Sequence, residues 1–293
     1  MKKENAVAYA FLSPFFIGFI FFSGVPIIAC FVLSLTKWNM LSSPVFIGLK
    51  NYLEMFTVGS PFWNVLRVTA IFTVLSVLIT LSWALFLAML LNIKQRGMGI
   101  FKFFFFVPAV MPSVALAFVF QLMYNKEMGI FNYILSLIGI KNGPNWLMDS
   151  NIVIPSIIFV FLYTYATGQM MLIFDASLKE VPRELYEACA IDGANSIQKF
   201  LYVTLSSISP IILFNLVIAT INSLSASFNV IWPMTEGGPA DASRVITVNI
   251  YQEGFRSFRM GYASALATVL FMTVALISWL QFKLSKKFVY YEN

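Results

Sequence analysis

The chain has 293 residues, of which 59% are hydrophobic and only 11% are charged, and its mean hydropathy is +0.82. Soluble domains carry about 25% charged residues, so this composition excludes an ordinary soluble protein and indicates one embedded in a lipid bilayer. The formal net charge of +6 does not predict nucleic-acid binding, because the basic residues cluster at the ends of apolar segments, where they set membrane topology.

The residue types that most enzymes use are scarce. The chain contains no His, and its two cysteines are Cys30 and Cys189. This composition removes imidazole-based metal, haem and general-base sites and leaves no disulfide framework. We therefore expect a chain that is not an enzyme and that binds no cofactor or metal itself.

Apolar segments long enough to cross a bilayer, which takes about 20 helical residues, recur along the chain. The six predicted spans cover residues 7–35, 66–92, 101–123, 151–173, 203–231 and 262–284. Within them we expect prolines to kink the helices rather than end them; these are Pro14, Pro26, Pro108, Pro112, Pro155 and Pro210. The sequence thus predicts an all-α polytopic membrane protein, with residues 1–293 forming a single transmembrane domain.

The distribution of basic residues predicts the orientation of these spans. An even number of spans places both termini on one side of the membrane. The loop NIKQRGMG, with Lys94 and Arg96, and the tail KLSKK, with Lys283, Lys286 and Lys287, carry positive charge on that side. Positive charge favours the cytoplasm, so we predict cytoplasmic termini. The first span follows basic residues, as a signal peptide does, but it is too long for one. We therefore expect it to stay uncleaved as the first membrane-spanning helix.

A charged segment, about residues 176–203, separates spans four and five. Pro182 and Glu184 predict the start of a short helix, Gly193 its end, and Asn195 or Ser196 the cap of a second helix. Helical spacing places Glu180, Glu184, Glu187 and Ile191 on one face, and small residues beside it permit close approach; these are Ala188, Cys189, Ala190 and Ala194. Such a knob suits the groove of a partner protein. The alternative is an amphipathic helix on the membrane surface.

Uncharged polar residues mark two of the spans. The fifth span carries two stripes, one of Thr220, Ser223 and Ser227 and one of Asn222, Ser225 and Asn229, and the fourth span carries a polar break of Thr164, Thr167, Gly168 and Gln169. Hydroxyl and amide groups beside aromatic rings suit a neutral polyhydroxyl solute. The same groups equally serve as helix–helix hydrogen bonds, worth ~0.6–2 kcal/mol each. We expect a turn at Gly237–Pro239, and the chain has no phosphate-binding loop for ATP.

The segment Glu187-Ala-Cys-Ala-Ile-Asp192-Gly193-Ala194, followed by Phe200, Val203-Thr-Leu205 and Pro210, resembles the EAA motif of permease subunits of bacterial ABC importers. Further matches run in order along the chain and resemble carbohydrate permeases of the maltose and multiple-sugar type; they are Ala10–Pro14, Phe46–Tyr52, Phe105–Ala109, Asn145–Leu147, Glu184–Glu187, Thr235–Pro239 and Gly261–Ala265. Cys189 and Ser206 depart from the motif, and a Trp usual in the fourth span is absent near Tyr163.

The resemblance implies a type I importer permease with six transmembrane helices in the bacterial cytoplasmic membrane. It implies a second permease of similar fold, an extracytoplasmic solute-binding protein, and two ATPase subunits that hold ATP and Mg. The elbow would be the coupling helix fitting an ATPase cleft, through Glu184, Glu187, Ala188, Ala190, Asp192, Gly193 and Ala194. The expected sugar contacts are Gln169, Thr220, Asn222, Ser223, Ser227 and Asn229.

Other functions compatible with the sequence stay open at this stage. The importer could carry a polyol phosphate or a peptide-like solute, and its permease could pair with a second copy of itself. An ion-driven carrier would need ionisable groups inside the spans, where Asp175 is about the only candidate. An intramembrane enzyme lacks nameable catalytic groups.

Overall fold

The computed structural model of the protein describes residues 2–93 and 95–286, so Lys94 and Lys287 of the orientation prediction lie outside the described residues. The helices are α1 (Lys2–Phe19), α2 (Val25–Ser34), α3 (Lys50–Phe56), α4 (Phe62–Leu91), α5 (Met98–Val110), α6 (Ser113–Met123), α7 (Ile130–Leu137), α8 (Val153–Tyr165), α9 (Met171–Glu180), α10 (Arg183–Ile191), α11 (Ser196–Lys199), α12 (Leu205–Ser207), α13 (Ser209–Ser225), α14 (Phe228–Thr235), α15 (Ile246–Tyr251) and α16 (Met260–Ser285). Short π-helical stretches lie at Ile20–Gly24, Ala166–Met170, Phe200–Thr204 and Gln252–Arg256. Strands β1 (Thr36–Lys37) and β2 (Val45–Phe46) pair antiparallel, with Thr36 opposite Phe46.

The predicted all-α membrane architecture is confirmed. Among the described residues, five helical stretches are long and apolar enough to cross a membrane, at Phe11–Ser34, Phe62–Leu91, Val153–Glu180, Ser209–Thr235 and Met260–Ser285. Helix α4 is the longest element because its 30 residues contain neither Gly nor Pro. A sixth crossing requires α5 and α6 to count as one span.

The third predicted span is broken rather than kinked. Helices α5 and α6 meet at an angle of 101°. Met111 takes an extended conformation with ψ 140°, as the residue before a proline prefers, and Pro112 follows with ψ 128°. The expectation that Pro112 only kinks the helix is therefore wrong, although Pro108 does lie inside α5.

The described residues divide into two compact units, the first formed by residues 2–63 and 249–272. In this unit, the buried Asn51 donates from its amide to the carbonyl oxygens of Ser34 at 2.8 Å and Thr36 at 2.9 Å. The Tyr52 hydroxyl donates to Ser34 Oγ at 2.7 Å. A Cβ at Gly261 would overlap the Thr36 carbonyl. The bonds of Asn51 and Tyr52 and the close approach of Gly261 thus hold the segment between α2 and α3 in place.

An arginine organises the charged part of the same unit. Arg259 pairs with Glu54 and with Glu253, the latter at 3.4 Å, and its guanidinium lies 4.3 Å from the ring centre of Tyr262. These pairs are partly exposed, so each contributes little stability by itself.

The second unit comprises the described residues of 64–248 and 273–286. One apolar cluster joins α4, α8 and α14, where the rings of Phe72 and Phe161 meet edge to face at 5.5 Å. A second cluster joins α4, α9 and α13, with Leu87, Phe174 and Ala219 buried. The two clusters hold spans four and five against α4.

Candidate functional site

The charged segment between spans four and five forms two separate short helices, as predicted. Pro182 forces the preceding Val181 into an extended conformation with ψ 120°, which ends α9 and starts α10 at Arg183. One detail is wrong: Glu180 ends α9 and does not share a helix with Glu184. We call residues 181–199 the elbow.

Local hydrogen bonds fix the angle of the elbow. Gly193 has φ +75°, its N–H donates to Ala190 O at 3.1 Å, and the N–H of Ala194 donates to Cys189 O at 2.9 Å. This is the Schellman termination, which favours Gly at that position. Asn195 then caps α11 in a capping box with Gln198, with bonds of 2.9 and 2.8 Å. The predicted roles of Gly193 and Asn195 in the turn are confirmed.

The outer surface of the elbow is open and mixed in character. Most of its predicted partner-contacting residues are exposed, namely Glu184, Glu187, Ala188, Ala190, Asp192 and Gly193, and Ala194 is half-buried. Ile191 is 87% exposed and Ile197 is 69% exposed. Carboxylates beside exposed isoleucines on a short helix form a surface that a protein groove can cover.

The inner surface of the elbow is fastened to the fifth span. Tyr186 and Cys189 pack against the apolar cluster of α9 and α13. The Tyr186 hydroxyl bonds to Thr204 Oγ1 at 2.9 Å, at the end of the π-helical stretch that leads into α12. This hydrogen bond links α10 to the stretch of chain that leads into span five.

In the fourth span, the polar break coincides with a π-helical stretch, Ala166–Met170, a distortion that is frequent at functional sites. Thr164 and Thr167 are buried and donate to the carbonyls one turn earlier, at 2.8 and 2.7 Å. Gly168 lies so close to α5 that a Cβ there would overlap the Cβ of Ala109. Gln169 is exposed.

In the fifth span, the first predicted stripe is buried and joins helices. Thr220 accepts from Gln281 Nε2 at 2.8 Å, Ser223 bonds to Ser76 at 2.9 Å, and Ser227 bonds to Thr247 at 3.1 Å; each of the three is at most 3% exposed. These are the helix–helix hydrogen bonds that the sequence left as an alternative. Their burial leaves no surface for a solute in this conformation.

The second stripe faces outward from the unit. Asn222 is half-buried, and Ser225 and Asn229 are exposed on either side of the break between α13 and α14. Together with Gln169, these residues offer uncharged amide and hydroxyl groups on spans four and five. Of the six predicted solute contacts, Gln169, Asn222 and Asn229 are accessible to a ligand.

Asn215 is a polar residue of the fifth span that the sequence reasoning missed. It is fully buried, and neither its Oδ1 nor its Nδ2 has a hydrogen-bond partner among the residues that the structure describes. It precedes Asn222 and Asn229 by seven and fourteen residues, so a seven-residue repeat of asparagines was the available signal.

An ion cluster around the buried Asp175 joins the broken third span to the fourth. Lys102 Nζ lies 2.7 and 2.6 Å from the two carboxylate oxygens of Asp175, and Lys179 Nζ lies 2.7 Å from Oδ2. The Asp175 side chain is 6% exposed. Sequence analysis noted Asp175 alone, because its partner Lys102 is 73 residues away.

Comparisons with known proteins agree with this geometry. Residues 80–290 match the family described as "Binding-protein-dependent transport system inner membrane component". The chain is 36% identical over 295 residues to "Probable ABC transporter permease protein YesP" of Bacillus subtilis strain 168, covering 100% of this chain and 94% of that protein. It is 34% identical over 293 residues to the arabinooligosaccharides transport system permease protein AraP of Halalkalibacterium halodurans, covering 98% and 90% respectively.

A solved structure has a similar fold. A chain of the bacterial alginate ABC transporter, in complex with an alginate pentasaccharide-bound periplasmic protein, matches with a TM-score of 0.84. The match covers 97% of this chain and 96% of that one at 22% identity, so it concerns the fold alone.

Proposed function

The chain belongs to the family of binding-protein-dependent transport system inner membrane components, the ABC transporter permeases, and from that premise we propose that it moves a sugar or oligosaccharide through an ATP-driven importer. It is a membrane-embedded transport subunit rather than an enzyme. The observation that carries the proposal is the elbow, whose outer surface is open and whose inner surface is fastened to span five.

The ATPase, in this proposal, docks on the outer surface of the elbow. Its exposed Ile191 supplies apolar contact area, and Glu184 and Glu187 supply charges that a basic cleft would pair with. The Schellman turn at Gly193 keeps this surface rigid, which lets a movement of the ATPase displace span five. The elbow and both termini then face the cytoplasm, with two ATPase subunits holding ATP and Mg.

Chemistry and relatives together support a neutral saccharide as cargo. Gln169, Asn222 and Asn229 offer uncharged amides that donate to and accept from sugar hydroxyls. The relative AraP is named for transport of arabinooligosaccharides. The family name supports an extracytoplasmic binding protein as the donor of the solute. A second permease of similar fold completes the pathway.

The test is ATP hydrolysis by the transporter reconstituted in lipid with its ATPase and its binding protein, in the presence of neutral mono- and oligosaccharides. We expect one saccharide to stimulate hydrolysis. Glu187→Ala should reduce both stimulation and copurification of the ATPase several-fold. Glu127→Ala, an exposed carboxylate outside the elbow, is the matched control and should change neither.

Two outcomes would contradict parts of this proposal. Stimulation by a charged or peptide-like solute alone would contradict the assignment of a sugar as the cargo and leave the coupling role of the elbow intact. Normal ATPase copurification with both Glu187→Ala and Ile191→Asp would show that the elbow is not the docking surface.

A further inference from the structure

A basic cavity lies at the base of the elbow, which lines part of it with Val181, Arg183 and Tyr186. Its volume is about 690 Å³, and it is lined by the end of α4, the start of α5, the end of α9 and the start of α10. Three cationic side chains line it, Lys102, Lys179 and Arg183. From this arrangement we propose that the cavity binds the phosphate headgroup of an anionic membrane phospholipid.

Among the described residues, the two lysines of the cavity share one carboxylate, that of Asp175. Lys102 and Lys179 both contact the same oxygen of Asp175, at 2.6 and 2.7 Å, so their ammonium groups are held side by side. One carboxylate cannot neutralise these two cations and Arg183 together. The described residues that line the cavity include no acidic side chain. An ammonium group carries three donors, so both lysines keep donors for an anion after binding Asp175.

The first turn of α5 adds to this positive potential. The helix has 13 residues and starts at Met98, which with Gly99 lines the cavity. The N-terminal end of a helix carries partial positive charge. By itself this helix end would define no site, but its first residues line the same cavity as the three cations.

The surroundings of the cavity favour a lipid over a soluble phosphate. Exposed apolar side chains continue from its edge along the outside of the spans, with Ile93 49%, Ile100 63% and Phe101 58% exposed. In a chain that crosses the bilayer, such a surface is compatible with contact to acyl chains. A headgroup in the cavity would therefore keep its own chains against an apolar surface, and clustered basic residues at the membrane boundary bind anionic lipids.

The experiment is a lipid titration of the full-length chain in detergent, followed by native mass spectrometry. We expect phosphatidylglycerol to bind saturably and phosphatidylcholine to bind at least tenfold more weakly. The variant Lys179→Gln/Arg183→Gln removes two cations and keeps the Lys102–Asp175 pair, and it should weaken phosphatidylglycerol binding at least tenfold. Lys199→Gln/Lys286→Gln removes the same charge outside the cavity and should not.

A charge-preserving variant separates loss of the site from loss of the fold. Lys179→Arg/Arg183→Lys keeps both cations and should retain phosphatidylglycerol. Equal binding of phosphatidylglycerol to the native chain and to the Gln variant would overturn the proposal. Loss of ATPase copurification in the Gln variant with unchanged lipid binding would overturn it too, and would assign the cations to the ATPase.

A competition experiment distinguishes the two sources of phosphate. Glycerol 3-phosphate has the same charged group without acyl chains, and we expect it to displace phosphatidylglycerol only at concentrations at least a hundredfold higher. Displacement at equal concentration would overturn the assignment of a lipid and make the cavity a site for a soluble phosphate. Because the readout is binding alone, this result is independent of whether the transporter carries a sugar.

Discussion

The tight contact between Gly168 and Ala109 provides a sharp test of how the third and fourth spans pack. The two residues bring the π-helical stretch of span four against α5, and a Cβ at Gly168 would overlap the Ala109 Cβ and lie 3.4 Å from its Cα. Carbon atoms in contact prefer about 3.5–4.0 Å, so Gly168→Ala forces the two Cβ atoms apart by about 1.5–2 Å. Overpacking of this kind costs about 1–3 kcal/mol.

We expect Gly168→Ala to lower the midpoint of thermal unfolding in detergent by several degrees and to reduce solute uptake. Ala109→Gly removes the group that the new methyl meets, so the double variant should recover most of the lost stability. Gly18→Ala is the matched control, because no atom lies within 4 Å of a Cβ built there. Unchanged stability of Gly168→Ala, or a double variant no better than the single one, would refute the packing argument.

Three further substitutions test other parts of the structure, each by thermal unfolding of the purified chain. Asn215→Leu should stabilise the chain by about 1–3 kcal/mol, because it removes a buried amide without partners; a loss of stability would mean that the amide is hydrogen-bonded. Gly193→Ala should cost about 1 kcal/mol, since φ +75° strains any residue with a Cβ; no cost would contradict the Schellman turn. Asp175→Asn should lower the free energy of unfolding by about 1–3 kcal/mol, which is less than the loss of a fully buried ion pair would cost, because Lys102 is 21% exposed. Adding Lys102→Met to the same chain should recover part of this loss.

Local sequence signals predicted the elements whose causes are local. The elbow could be predicted because Pro182, Gly193 and Asn195 each act within a few residues, through the proline rule, a left-handed turn and a capping box. The spans could be predicted from length and apolarity alone. The sequence could not show that Pro112 ends a helix, because a membrane proline kinks or breaks according to the neighbours that satisfy its carbonyls.

The partners of the polar residues could not be predicted for a related reason. Ser223 bonds to Ser76, 147 positions away, and Thr220 bonds to Gln281, 61 positions away. Helical spacing gives the face on which a residue lies but not the helix opposite it. The division of the six predicted solute contacts into three buried and three accessible residues therefore required the structure.

The bonds that hold span five suit a helix that must move. Thr220 and Ser223 join α13 to its neighbours through neutral hydrogen bonds, which in membrane proteins average only ~0.6 kcal/mol each. In the proposed transport cycle, such bonds can be exchanged at small cost when the elbow displaces the start of the span through Tyr186 and Thr204. The orphaned amide of Asn215 is costly in this conformation, and a partner for it in a second conformation would lower the free-energy difference between the two. Trapping the transporter with its ATPase closed should therefore cancel most of the stabilisation expected from Asn215→Leu, and an undiminished effect would show that Asn215 has no part in the movement.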